Sequence, residues 1–332
     1  MTAPPDAVPL YAAVELGSDS FRLHVASVGG GRVRVAATLS EPIRLGAELD
    51  ASGGIKAEAM RRALDCLRQF RTALGLWQPR AVRVVATAEL RVARNAPAFV
   101  AAAESAIGHR LDILGAEEEG RLVYLGVAGA LAHAPANGPT KAPERRLVLD
   151  IGSGSTEVAV GCGDEVERVQ SFGAGALRKG LVFFGAGITP DAFEAALESA
   201  RSRFADAGAA PGMRGWPRAY GASGSVRALA ELANELLAPA PTLAVGRLYA
   251  LRRALIEEGG LARVAAQWPQ PGRAAQIAGG LAMLLALVEE LGIDELVPVQ
   301  AGLRAGVIRE LHAHITRSAQ GAPNGTPYRE CV

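Results

Sequence analysis

Apolar positions along the chain switch between two periods. From Tyr11 to Val28 they alternate with polar ones every second residue, most clearly in Phe21-Arg22-Leu23-His24-Val25, and the small polar segment Gly17-Ser18-Asp19-Ser20 interrupts them. That pattern predicts two strands joined by a glycine-containing turn. Between Ala57 and Leu74 the apolar residues Met60, Ala63, Leu64, Leu67, Phe70 and Leu74 fall three and four apart, the spacing of one helix face. A β-branched run at 81–86 predicts a strand, a polar segment covers 87–95, a helix runs from Pro97 to Ile107, and a short strand lies near 111–114. Glu117-Glu118-Glu119 then opens a helix bearing Leu122, Leu125, Val127 and Leu131, acids in a first turn being favoured by the helix dipole.

A proline-rich segment at 134–144 reads as a domain boundary or exposed loop. Past it the opening pattern recurs: Leu149-Asp150-Ile151-Gly152-Ser153-Gly154-Ser155 repeats Val14-Glu15-Leu16-Gly17-Ser18-Asp19-Ser20 at a constant offset of 135 residues. Two copies at one spacing suit a duplicated domain whose halves each offer one acid-Gly-Ser turn. The remainder predicts a helix at 192–204, a Gly/Pro-rich loop at 207–217, and a small-residue turn at 218–225 that opens a helix at Val226. Helices near 246–258, 274–291 and 303–315 follow. The expected division is an N-terminal domain over 8–126, a C-terminal domain over 127–315 and a disordered tail over 316–332.

Composition narrows the classes. With 49% hydrophobic and 21% charged residues among 332, the chain can bury a large core. Thirty-five basic against 34 acidic residues leave a net charge of +1, so nothing global favours a nucleic-acid or anionic-membrane partner and any anion site must be local. The start lacks the basic patch and apolar run of a signal peptide, and the longest apolar stretch, 277–288, is shorter than the ~20 residues of a membrane span. Cys66, Cys162 and Cys331 are far apart and form no C-x-x-C pair, which speaks against a disulfide scaffold or thiolate zinc site and fits a reducing cytoplasm. His24, His109, His133, His312 and His314 show no ligand spacing and read as structural.

A turn of small residues exposes consecutive backbone N–H groups, and serine hydroxyls add donors, so each of the two turns can wrap a phosphate. The acids before them, Glu15 and Asp150, are placed to hold Mg2+, whose preference for oxygen suits a carboxylate plus substrate phosphates. Either turn alone reads as a plain tight hairpin; the matched pair favours the phosphate reading.

Six segments in order then carry a resemblance. Glu15-Leu16-Gly17-Ser18-Asp19-Ser20-Phe21-Arg22, Thr87-Ala88-Glu89-Leu90-Arg91 with Arg94-Asn95, and Glu117-Glu118-Glu119-Gly120-Arg121-Leu122 make the first half. Asp150-Ile151-Gly152-Ser153-Gly154-Ser155-Thr156-Glu157, Gly221-Ala222-Ser223-Gly224-Ser225 and Gly302-Leu303-Arg304-Ala305-Gly306 make the second. Over about residues 11–313 the chain resembles the exopolyphosphatase and guanosine pentaphosphate phosphohydrolase (Ppx/GppA) family, with Arg44-Leu45-Gly46 and Leu177-Arg178 in further agreement. The resemblance implies an α/β, duplicated actin-like fold of the sugar-kinase and heat-shock-type ATPase kind, two domains with a phosphate-binding cleft between them. It also implies Mg2+-dependent hydrolysis of terminal phosphate from inorganic polyphosphate, or from a guanosine polyphosphate. The chain looks like the short two-domain form, ending where longer relatives continue into an HD-type helical domain.

Carried over residue by residue, the family's catalytic glutamate falls on Glu118, which would orient the attacking water, with Glu117 and Glu119 as its competitors. Arg91 would bind the scissile phosphate through its fork of donors, Glu157 would help hold metal or water, and Asp150 with Glu15 would hold the metal. Gly17, Ser18, Gly152, Ser153, Gly154, Ser155, Ser223 and Gly224 make up the phosphate turns. The chain has 32 arginines and three lysines, so only arginines inside motifs count: Arg22, Arg178 and Arg304.

The family's first turn reads Asp-Leu-Gly-Ser-Asn-Ser, so Glu15 and Asp19 add reach and negative charge where phosphate is expected. That departure supports a competing reading from another class, a weakened relative that binds polyphosphate or nucleotide as a sensor. An actin-like ATPase or sugar kinase is the third reading. No nucleic-acid or membrane partner is expected, and a homodimer is the one assembly considered.

Overall fold

The computed structural model describes residues 8–50, 52–132, 144–257 and 272–320, with residues 264 and 266. Contacts divide the chain into unit 1, Met1–Arg145, Gly161–Val166 and Ala301–Val332, and unit 2, Arg146–Val160 and Glu167–Gln300.

Unit 1 contains β1 (Leu10–Leu16), β2 (Phe21–Gly29), β3 (Arg32–Glu41), α1 (Ala57–Trp77), β4 (Ala81–Ala86), α2 (Ala88–Val92), α3 (Ala96–Ile107), β5 (Leu111–Ile113) and α4 (Ala116–Leu131). Its five-stranded sheet has the order β3-β2-β1-β4-β5. β1, at the centre, is buried along nearly its whole length, as a strand covered on both faces must be, whereas β3 at the edge is mostly exposed. α1 buries Ala59, Ala63, Cys66, Leu67, Phe70 and Leu74, so four of the six positions spaced along the sequence lie on its buried face, with Met60 and Leu64 partly buried beside them.

Unit 2 follows, with Arg145 of β6 and the ends of β7 and β8 within 161–166 counted in unit 1: β6 (Arg145–Ile151), β7 (Thr156–Cys162), β8 (Glu165–Phe172), α5 (Ala176–Phe184), α6 (Pro190–Phe204), β9 (Trp216–Gly221), α7 (Gly224–Leu236), β10 (Leu243–Ala244), α8 (Val245–Ile256), α9 (Arg273–Leu291) and β11 (Ile293–Pro298). Its sheet runs β8-β7-β6-β9-β11-β10, the same third-second-first-fourth-fifth order with β10 added at the far edge. The repeated order is the duplicated actin-like α/β architecture. α9 is long and apolar enough to cross a membrane by length and composition, but 78% of its apolar window is buried, in a core shared with Phe193, Leu197, Leu229 and Leu251.

The last helix, α10 (Leu303–Gln320), returns to unit 1 and packs on α4 and β1. A Cβ on Gly306 would stand 1.8 Å from the carbonyl oxygen of Leu122, and one on Gly126 2.2 Å from that of Gly302. Glycine at both positions lets the two helices meet backbone to backbone.

Several readings of the sequence change here. The border expected after residue 126 falls inside α4, because the helix continues unbroken to Leu131, and the units part at 145/146. Most of the proline-rich segment, residues 134–143, lies outside the described residues, as does His133. The segment 218–225 is not all turn: β9 occupies it to Gly221. The polar run 87–95 holds α2, since Thr87 and the residues after it turn immediately off β4. The tail expected from 316 is helical to Gln320, and 321–332 lie outside the described residues.

Candidate active site

In unit 1, β1, β4 and β5 run parallel and end level, Leu16 registering with Ala86 and Ala86 with Ile113. Three segments therefore leave the sheet side by side: the turn 17–20, Thr87 into α2, and Leu114 into α4. The Thr87 N–H donates to Leu16 O at 3.4 Å and the Leu114 N–H to Ala86 O at 2.9 Å. The carboxyl edge of parallel strands is where open α/β sheets bind ligands. In the turn, Gly17 N–H donates to Ser20 O at 3.2 Å, and a Cβ on Gly17 would stand 2.9 Å from that same oxygen. Ser18 is buried, and the segment after β3 braces the turn through Arg44 N–H to Asp19 O at 2.7 Å and Gly46 N–H to Ser18 O at 2.9 Å.

Beside it, Arg91 on α2 donates from Nη1 to Glu119 Oε2 at 2.6 Å and to Leu114 O at 2.9 Å. Glu119 is 7% exposed, the one buried acid of the three that open α4. Glu118 is engaged elsewhere. It accepts a fork from Arg121, at 2.6 Å from Nε and 2.8 Å from Nη2, and lies 3.8 Å from Arg83 Nη2 on β4. Both arginines are shared with Glu310 on α10. The Arg121 hydrogen bonds, helped by the charges of Arg121 and Arg83 and opposed by partial burial, hold the Glu118 carboxyl below the usual range. Glu118 thus clamps α4 to β4 and α10, while Glu117 is exposed. The sequence carried a signal for the difference: Glu119 shares the 3-and-4 spacing of Leu122, Val123, Gly126 and Val127, all buried.

Glu15 is the cross-strand partner of Arg22 and hydrogen-bonds to Arg304 on α10. Burial pushes its carboxyl up, but the charges of Arg304 and Arg22 outweigh it and leave the group below its ordinary value. A carboxylate already neutralised by an arginine makes a poor metal ligand, so Glu15 does not fit Mg2+. Arg304 keeps a buried Nε with no hydrogen-bond partner. Among the described residues no group of three or more His, Cys, Asp or Glu side chains converges. Asp150 is half-buried beside a turn of small residues, and Mg2+ needs only one or two carboxylates when phosphates and water complete its shell.

Unit 2 repeats the edge. Leu149 registers with Gly221 and Gly221 with Pro298. Gly152 N–H donates to Ser155 O at 2.9 Å, and a Cβ on Gly152 would again stand 2.9 Å from the receiving oxygen. The start of α5 braces this turn through Ala176 N–H to Gly152 O at 2.9 Å and Leu177 N–H to Ser153 O at 3.2 Å, while Gln276 Nε2 donates to Ser153 Oγ at 3.0 Å. Gly154 is half-buried and Ser155 buried. Glu157 on β7 is buried and accepts from Ser171 Oγ at 2.9 Å. Ser223 spends its hydroxyl on the N-terminus of α7, accepting from Val226 N–H at 3.0 Å, with Gly224 next in line. Arg178 is exposed on α5 and faces a separate groove.

Two units of one topology, each with a small-residue turn at the carboxyl edge of its sheet, define the duplicated actin-like class of fold. The model of the Ppx/GppA phosphatase family matches residues 24–314, and the chain belongs to that family. It is 31% identical over 306 residues to the guanosine-5'-triphosphate,3'-diphosphate pyrophosphatase of Photobacterium profundum, covering 91% of this chain and 59% of that protein. The chain therefore spans little more than half the length of that relative. Its fold is similar to that of the Aquifex aeolicus Ppx/GppA family member, with a TM-score of 0.75 at 22% identity over 92% of this chain and 98% of the other. It is equally similar to an exopolyphosphatase from Cytophaga hutchinsonii ATCC 33406, TM-score 0.75 at 19% identity over 96% and 100% of the two chains.

Proposed function

We propose that the protein hydrolyses the terminal phosphate of a phosphoanhydride chain, either inorganic polyphosphate or guanosine pentaphosphate. The observation that carries this reading is the Arg91–Glu119 pair beside the turn 17–20. Glu119 is the base: its carboxylate takes a proton from water as the water oxygen bonds to the terminal phosphorus. The P–O bond to the shortened chain then breaks, and its electron pair leaves on the chain's oxygen. Arg91 orients that carboxylate and offers its remaining donors to the phosphoryl oxygens, where charge is spread in the transition state. Backbone N–H groups and hydroxyls of the turns 17–20 and 152–155 bind phosphate. Asp150 is the residue that would hold Mg2+, which when bound neutralises phosphate charge. In this reading Glu118, the base that the resemblance implies, serves instead to hold α4 to β4 and α10. A cytoplasmic setting belongs to the same reading.

Both substrates have support by similarity, one from the Cytophaga hutchinsonii structure and one from the Photobacterium profundum relative. Phosphate release from long polyphosphate, short polyphosphate and guanosine pentaphosphate, measured in parallel with Mg2+, decides between them. Binding of all three without release of phosphate would replace the hydrolase by the sensor.

A further inference from the structure

We propose that unit 2 carries a second anion site, distinct from the turn 152–155, in the groove between α5 and α6, and that its ligand is a phosphate group. The groove has a volume of about 430 Å3 and is lined by Arg178, Lys179, Arg203, Ser199, Ser202 and Phe183, with the backbone of 173–175. Three cations meet there, and no carboxylate among the described residues lines the groove with them. Arg201, on the same helix as Arg203, is paired with Glu194, Glu198 and Glu289, which shows how α6 treats an arginine that has only to be neutralised. The groove instead gathers like charges.

Lys179 is held in place. Its Nζ donates to Ser199 Oγ at 2.9 Å and sits 5.1 Å from the centre of the Phe183 ring. An ammonium fixed by a hydroxyl and an aromatic face keeps donors for an oxyanion, and the two arginines can add paired N–H groups. Burial, then the charge of Arg203, lowers the pKa of Lys179 below its ordinary value. The 173–175 wall leads into α5, whose first N–H groups brace the turn 152–155, so occupancy of the groove can stiffen that turn through backbone alone. The phosphate can come from free orthophosphate or from a longer phosphate chain.

The proposal rests on unit 2 alone and needs no turnover, so its failure leaves the hydrolase reading standing, and the reverse. The chain has only three lysines, Lys56, Lys141 and Lys179, which makes amine labelling read by mass spectrometry selective. On the full chain at constant ionic strength, orthophosphate or tripolyphosphate at about ten times its Kd should slow labelling of Lys179 about tenfold and leave Lys56 unchanged. Protection by both ligands identifies a single-phosphate site; protection by tripolyphosphate alone identifies a chain-binding one. Arg203→Gln should weaken the protecting ligand about tenfold, the loss of one charge-assisted hydrogen bond, with Arg201→Gln as the unaffected control. Should Arg203→Gln fail to fold, Arg178→Gln at its exposed position takes its place. The proposal is overturned if neither ligand protects Lys179, if Lys56 is protected equally, or if protection survives in the folded groove variant.

Discussion

In each unit a glycine N–H reaches the carbonyl of the serine three residues on, at 3.2 Å in one turn and 2.9 Å in the other, and the segment after the third strand braces the result. What surrounds the two turns differs. Unit 1 sets charge pairs around its turn: Glu15 with Arg304, Glu119 with Arg91, and the Glu118, Arg121, Arg83, Glu310 network behind them. Unit 2 sets hydroxyls, small residues and Gln276 around its own, with Glu157 hydrogen-bonded to Ser171. The backbone geometry was duplicated, while the acids beside it differ in a partner: Glu15 meets an arginine and Glu157 a serine hydroxyl. Pre-paired charge suits a group that must be aimed, and hydroxyl and amide donors suit a group that must hold phosphate. On the proposed reading, the division of labour is catalysis by unit 1 and holding by unit 2.

The division breaks most visibly at Arg91. Arg91→Gln should cut phosphate release about a hundredfold, the usual loss for one preorganised donor, with stopped-time phosphate assays as the measure. A similar loss at Arg178, outside the charge pairs of unit 1, would remove the distinction. The shared backbone is tested by Gly17→Ala and Gly152→Ala. Each added methyl meets a serine carbonyl at 2.9 Å, so thermal or denaturant unfolding should show comparable losses of about 1–3 kcal/mol. A harmless change in one turn would mean the geometry is shared only on paper.

The two acids before the turns should differ in their link to metal. Asp150→Asn should raise the Mg2+ concentration for half-maximal activity several-fold, whereas Glu15→Gln should leave it unchanged because Arg304 already holds that carboxylate. The smallest effect belongs to Glu118. Its carboxyl is lowered in the folded state, so its contribution is present at neutral pH and lost as the pH falls through the depressed folded value. Glu118→Gln should cost about 1 kcal/mol near neutrality, discounted for its one-third exposure, and its stability should converge with that of the parent in acid.

Much of this was legible in the residues. The offset repeat announced the duplicated fold, and the spacing in α1 gave its buried face. The edge strand β3 and the strand β8 were not read because their exposed residues carry no burial-driven alternation, as the mostly exposed pattern of β3 shows. The return of α10 to unit 1 was hidden because its partners are fixed by contacts far apart in sequence, above all Gly306 on Leu122. The candidate site residues were read as motifs, but motifs do not say which partner a side chain has in the fold. Ser223 is spent on a helix cap, Glu15 on an arginine and Glu118 on a clamp.

The most direct test compares the adjacent glutamates. Under saturating substrate, Glu119→Gln should lower kcat by about 10²–10⁴ with KM within a few-fold, while Glu118→Gln keeps kcat within a few-fold of the parent and loses only stability. Loss of turnover in Glu118→Gln with Glu119→Gln close to the parent would contradict the account, because the base would then be the glutamate that the Arg121 fork holds.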